Sequence, residues 1–200
     1  MPIPFNCSVR HQPQGLELLY EDRDIIVVDK APGLLTIATD KKQIQTAYYR
    51  LMEYVRKGDP RSRNRIFIVH RLDRDVSGIL VFAKSSEAKE HLQEHWAETE
   101  KKYLTVAHGR FKIPEGTIST YLAENKSHIM YSTSNHEKGK LSHTNYRVLK
   151  ETEEFSLLEI NLLTGRKNQI RAHLAEIGHP IVGDEKYGRK DREHKRLALH

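Results

Sequence analysis

Cysteine is almost absent from this chain of 200 residues: there is one, Cys7. No internal disulfide can form, and no CxxC metal motif exists. Long apolar runs are missing too. Nothing approaches the ~18 consecutive apolar residues of a membrane-spanning helix, so no membrane association is expected. The opening Met1-Pro2-Ile3-Pro4-Phe5-Asn6 has neither the basic n-region nor the apolar h-region of a secretory signal. These absences leave a cytoplasmic location as the expectation. Hydrophobic residues make up 38%, against ~45–50% in an average soluble domain, a figure that also counts glycine. They cluster into short patterned runs, which argues against wholesale disorder.

What the chain has in excess is positive charge. Thirty-three Lys and Arg stand against 27 Asp and Glu, leaving +6. Such a balance favours polyanionic partners, nucleic acid above all, although an ordinary basic protein shares it. The length fits one large domain or two small ones, at roughly 100–200 residues each. No linker is long or flexible enough to divide the chain convincingly.

Patterning predicts an irregular arm over 1–15, then strands over 16–20 and 25–28, the second continuous enough for burial on both faces. Pro32-Gly33 is a turn signal, and 34–37 resumes extended structure. A helix is predicted over 44–57 with Ala47, Leu51, Tyr54 and Val55 on one face. A basic loop follows, Arg61-Ser62-Arg63-Asn64-Arg65. Strands at 66–69 and 79–83 flank a polar segment. A second helix is predicted over 86–99, with Ala88, Leu92 and Trp96 in line. Strands at 103–107, 116–122, 144–149 and 155–162 lead to a short helix at 167–177, closed by Gly178 and Pro180. Strands dominate at irregular spacing, which predicts α+β: a large mixed, mostly antiparallel sheet with flanking helices and loops around a central cleft.

The most informative stretch is Val69-His70-Arg71-Leu72-Asp73-Arg74-Asp75-Val76-Ser77-Gly78. Polar residues concentrated between two apolar strands belong at a sheet edge or cleft, where functional side chains tend to lie. Arg71 and Asp73 fall on one face of an extended backbone. An ionised carboxylate there can serve as nucleophile, general base or metal ligand. A surface ion-pair network fits the same residues, and composition alone favours it.

His70-Arg71-Leu72-Asp73, two residues, then Val76-Ser77-Gly78 resembles the HRLDxxTSG signature of the RluA family of pseudouridine synthases. Four further blocks match in the same order. They are Leu19 to Asp22 with Val28 to Leu34, then Glu100-Lys101-Lys102-Tyr103-Leu104, then Leu163 to His173, and Gly178-His179-Pro180-Ile181-Val182-Gly183-Asp184. The resemblance implies that residues 16–200 form a pseudouridine synthase catalytic domain. It implies an isomerase that breaks the glycosidic bond of a uridine in ribosomal or transfer RNA and rejoins the base through carbon. It implies no cofactor, no metal and no obligate protein partner, hence a monomer acting on structured RNA.

By the same resemblance Asp73 is the catalytic carboxylate. Tyr103 packs against the target uracil, and Arg171 is the guanidinium that pairs with the catalytic aspartate. Arg71 helps fill the space left by a flipped nucleotide. His70, Arg74, Arg166, Lys167 and Lys140 are expected to contact RNA. The basic loop 61–65 and Lys138, Arg147 and Lys150 are further candidates for phosphate contacts. Base flipping is required because a stacked uridine hides its glycosidic bond, and an aromatic face can hold the extruded base.

Val76 stands where the family usually has Thr, and Asn168 where His is common. The first matching strand begins about 15 residues into the chain, so by the resemblance the small RNA-binding domain that precedes the catalytic domain in many relatives is expected to be lacking. Arg196 to His200 resembles the start of a late strand after which relatives continue, so the domain is expected to lack its usual C-terminal end. The pattern His91-Leu92-Gln93-Glu94-His95 matches HxxEH, a metal motif, but twelve histidines make it easy to meet by chance. The rival to an isomerase is a catalytically silent RNA-binding protein on the same scaffold. The retention of Asp73, Tyr103 and Arg171 favours the enzyme.

Overall fold

A computed structural model describes residues 12–38, 43–188 and 193–200. Most of the predicted N-terminal arm, with Cys7, lies outside them. Contacts gather into two units, residues 1–96 and 97–200. The architecture is α+β, the named strands pair antiparallel, and they form two sheets of four and five strands.

In the first unit, strands β1 (Leu16–Glu21), β2 (Ile25–Lys30), β3 (Phe67–Ile68) and β4 (Gly78–Ala83) lie in the order β1-β2-β4-β3. Alternation sets the faces: Leu16 and Leu18 are buried while Glu17 and Leu19 are exposed. The Asp22 carboxylate accepts the Asp24 and Ile25 amides at 2.8 Å each, making the turn between β1 and β2. Burial of β2 on both faces is not what forms. Ile26, Val28 and Lys30 are fully buried, whereas Ile25, Val27 and Asp29 are half-exposed. A continuous β-branched run reflects strand propensity as well as burial.

Helix α1 (Ala47–Arg56) is capped by Thr46, whose side chain accepts from the Tyr49 amide, and ends at Lys57 in the left-handed conformation. It buries Ala47, Leu51, Met52 and Val55. Residues 34–37 form no strand, only an isolated bridge from Leu35 to Thr46. Helix α2 (Ser86–Glu94) is capped by Ser85 and buries no residue fully. It stops short of the predicted end because Trp96 leaves the helical path to stack on His70, with ring centroids 4.5 Å apart.

In the second unit, β5 (Lys102–His108), β6 (Glu115–Glu124), β7 (Met130–Thr133), β8 (Lys140–Glu151) and β9 (Phe155–Leu162) run in the order β5-β9-β8-β6-β7. Ser156, Leu158, Ile160 and Leu162 of β9 face inward on strict alternation. β7 escaped the sequence reading because four residues with one buried side chain, Met130, carry almost no pattern. Its signal was the preceding turn, where Asn125 Oδ1 accepts the Ser127 and Ile129 amides. The outer edge of β5 is covered. Val182 N–H donates to Val106, Val106 N–H to Ala198, and Leu104 and His200 exchange two backbone bonds. Helix α3 (Gln169–Glu176) buries every residue from Gln169 to Leu174 and packs against β7 and β8.

Candidate active site

The HRLD segment forms the connection from the edge strand β3 to the inner strand β4. β3 spans two residues, too short to reach the Val81 amide of β4. The His70 ring takes its place, with Nε2 accepting from Val81 N–H at 3.0 Å. Burial pushes the His70 pKa down to about 4. The ring is therefore neutral at physiological pH with its proton on Nδ1, and it brings no positive charge to an RNA.

Leu72 is buried and held at both ends of its peptide. Its carbonyl accepts from the Thr36 hydroxyl at 2.8 Å, and its amide donates back to the same oxygen at 3.2 Å. Next along, the Arg74 carbonyl accepts from Lys30 Nζ at 3.1 Å and from Gly33 N–H at 2.9 Å. Lys30 is fully buried. Desolvation pulls its pKa down to about 8, opposed by the charges of Asp75, Asp73 and Asp29, so at neutral pH it is mostly an ammonium. Val76 N–H closes a turn onto the Asp73 carbonyl at 3.3 Å. Gly78 begins β4 at φ +137°, a backbone state that side chains resist. Asp73, half-buried, thus sits between two residues whose backbones are pinned from different directions. That is how a loop is made rigid enough to aim a carboxylate.

Val76 is buried, so a methyl in place of a hydroxyl loses nothing to water. Arg71 and Arg74 are exposed, and Arg74 Nε pairs with Asp75 at 2.9 Å.

In the second unit Tyr103 lies on β5 opposite Ile160. It shares a face with buried Thr105 and Ala107 but is itself half-buried. Arg171 projects from α3 and is 7% exposed. Its Nε and Nη2 form a two-pronged bond with the Asp184 carboxylate, both at 2.7 Å. Asp184 Oδ1 also accepts the Lys186 and Tyr187 amides at 3.0 Å. The Tyr187 ring lies 5.2 Å from the guanidinium carbon. Charge-assisted, planar pairing of this kind fixes both the position and the plane of Arg171.

Further polar bonds seat α3. Gln169 Oε1 accepts from the Thr164 hydroxyl and the Arg166 amide, and its Nε2 donates to Thr144 and to the His143 carbonyl. Fully buried His173 bonds Thr144 through Nδ1 and Thr120 through Nε2. Its pKa is lowered to about 4, chiefly by burial and then by His143. Asn168 adopts a left-handed conformation at φ 48°, and its Oδ1 accepts from Lys186 Nζ and the Tyr187 hydroxyl. At Gly183 a Cβ would meet the Arg196 carbonyl oxygen at 2.0 Å, so only glycine fits this motif position.

His70, Arg71, Asp73 and Arg74 therefore lie in the first unit, and Tyr103, Lys140, Arg166, Lys167 and Arg171 in the second. Arg166, Lys167 and Lys140 are exposed. Lys167 Nζ is engaged with Glu124. Lys30, Thr36 and Asp184 are contributors that sequence reasoning left without a role, although Lys30 and Asp184 stood inside matched blocks. His95 Nδ1 bonds the His91 carbonyl of its own helix. No group of three His, Cys, Asp or Glu among the described residues is placed to hold a metal ion. No helix among them is long and apolar enough to cross a membrane.

Comparison with known proteins matches residues 24–176 to the family model for RNA pseudouridylate synthase. The uncharacterized RNA pseudouridine synthase YlyB of Bacillus subtilis is 34% identical over all of this chain and 67% of its own length. Ribosomal large subunit pseudouridine synthase D of Borreliella burgdorferi is 31% identical over 92% of this chain and 58% of its own. The chain thus spans roughly three-fifths to two-thirds of these relatives. Among solved structures, human RNA pseudouridylate synthase domain containing 1 aligns at TM-score 0.75 and 28% identity, over 94% of this chain and 77% of that one. With Asp73, Tyr103 and Arg171 all inside the matched span, the chain belongs to the RNA pseudouridine synthase family.

Proposed function

We propose that this protein isomerises uridine to pseudouridine within structured RNA, with Asp73 as the reacting carboxylate, Tyr103 as the aromatic support of the base and Arg171 as the essential guanidinium. The reaction breaks the C1′–N1 bond, forms C1′–C5, removes the C5 proton and returns a proton to N1. Nothing is oxidised or reduced; the chemistry asks for a carboxylate that either attacks C1′ or removes a ribose proton as the C1′–N1 bond breaks, and for proton transfer from C5 and to N1. The observation that carries this reading is the rigid loop around Asp73. Buried Lys30 and Thr36 hold the peptides on either side of it, an investment that a binding surface does not need.

The target nucleotide must leave its stack, costing a few kcal/mol that is smallest in a loop or bulge. Arg71, exposed two residues from Asp73, is suited to fill the vacated space. Arg74, Arg166 and Lys140 are suited to contact phosphates. Lys167, paired with Glu124, serves less well unless that pair opens. His70 holds the loop through β4 and Trp96 instead of offering charge. Ribosomal RNA is the first substrate to try, with transfer RNA beside it, and action as a cytoplasmic monomer accords with this reading.

The test is to incubate the purified protein with unmodified large-subunit ribosomal RNA and transfer RNA transcripts and to map pseudouridines. Conversion at one or a few defined uridines is the expected result. Binding to both transcripts with no conversion in either would instead establish the silent RNA-binding scaffold.

A further inference from the structure

The first unit contains an open cleft of about 1460 Å³ that the chemistry above does not use. α1, the turn between β1 and β2, the basic loop at 61–65 and the start of α2 line it. β2 and β4 pair from Ile25–Ala83 at one end to Lys30–Gly78 at the other. The cleft adjoins the first end, through Glu21, Asp22 and Lys84. The Asp73 loop is pinned at the second end, through Lys30 and Gly33. At a rise of about 3.3 Å per residue, six residues separate the two by about 17 Å.

The charges of this cleft are arranged for an anion. Arg50, Glu53 and Tyr54 recur at helical spacing and so share one face of α1, and Lys57 follows at its C-cap. Arg63 and Arg65 come from the loop, which Asn64 holds by donating from Nδ2 to the Val55 carbonyl at 3.0 Å. Six cations and three acids line the cleft; two of the acids, Glu21 and Asp22, are committed, and the third, Glu53, is exposed. Glu21 pairs with Lys84 at 2.8 Å and accepts from the Tyr54 hydroxyl, and Asp22 is occupied by its own turn amides. Lys57, Arg63 and Arg65 are exposed and have no acidic partner among the described residues.

We infer that this cleft is a second RNA-binding site, taking the sugar-phosphate backbone several nucleotides away from the target uridine. The inference rests on the proposed activity toward RNA. An open groove with three uncommitted cations suits a phosphate chain better than a compact ligand, because contacts of this kind position without reading sequence. It gives the protein a hold on the surroundings of its substrate that is independent of the reacting base.

The experiment compares wild type with Lys57→Ala/Arg63→Ala/Arg65→Ala on one unmodified large-subunit ribosomal RNA transcript, and on a short stem-loop cut from around the modified uridine. For the long transcript the triple variant is expected to weaken binding at least tenfold, raise KM and leave kcat unchanged. Its log–log salt slope should fall by about 2, at ~0.7 per contact. The stem-loop, trimmed so that no phosphate lies more than about 15 Å from the target uridine and so short of the cleft at about 17 Å, should be modified equally by both proteins. Arg63→Lys/Arg65→Lys should restore most of the affinity, which separates lost charge from lost folding. An unchanged slope and KM on the long transcript overturns the second site while leaving the activity standing. A wild-type protein that neither binds nor modifies the transcript overturns the activity, and the second site with it.

Discussion

Arg171 and Asp184 are each under 10% exposed, so neither can fall back on water if its partner is removed. Breaking a buried pair on one side costs about 3–5 kcal/mol, whereas replacing both members by apolar residues is often close to neutral. Asp184→Ala should therefore destabilise by that order in urea unfolding. Arg171→Met/Asp184→Leu should lose markedly less than the sum of the two single changes. Additive losses would show that the pair carries little coupling. At this scale the sequence was legible where motif blocks were long. Asp73, Tyr103 and Arg171 were singled out from their neighbours along the chain, and their roles rest on the resemblance those neighbours carry. Asp184 was not, because nothing in a sequence says that a carboxylate 13 residues on will fold back to grip the same arginine. Lys30 was missed for a similar reason: the predicted strand stops at residue 28, and nothing along the chain says that the next ammonium will be buried against two carbonyls.

Among the elements, two histidines do structural work as neutral rings. His70 completes the edge of β4, and His173 ties α3 to β8 and β6. Both have folded-state pKa values near 4 against 6.5 for the free side chain. Between those values the unfolded chain binds protons that the folded protein refuses, so stability falls as pH drops from about 6.5 toward 4. The loss is roughly 1–3 kcal/mol per histidine. Urea midpoints at pH 7.5, 6.0 and 5.0 should decline steadily, and His173→Gln should flatten the decline. The carboxylates with lowered pKa, Asp22, Glu124 and Glu151, lose their contribution only at more acid pH, so a flat profile above pH 5 would contradict the account. The stop of α3 at Gly178 and Pro180, the Pro32-Gly33 turn and the places of most strands were readable in advance. The C-terminal end of α2 and the existence of β7 were not, since tertiary contacts set them: a tryptophan drawn onto His70, and a short strand whose backbone pairs with β6.

For the molecule as a whole, charge and topology point the same way. An excess of six positive charges makes RNA association steeply salt-dependent, and the division into units at residues 96 and 97 was not legible because no composition shift marks it. The α+β class and the antiparallel pairing were legible; the partition of strands into two sheets depends on long-range pairing that periodicity does not encode. The central claim is chemical, and it concerns one carboxylate. Single-turnover conversion of an unmodified RNA transcript should be abolished by Asp73→Ala, while RNA affinity stays within about tenfold, or ~1.4 kcal/mol, of wild type. Pseudouridine appearing at the wild-type rate in that variant would contradict the assignment.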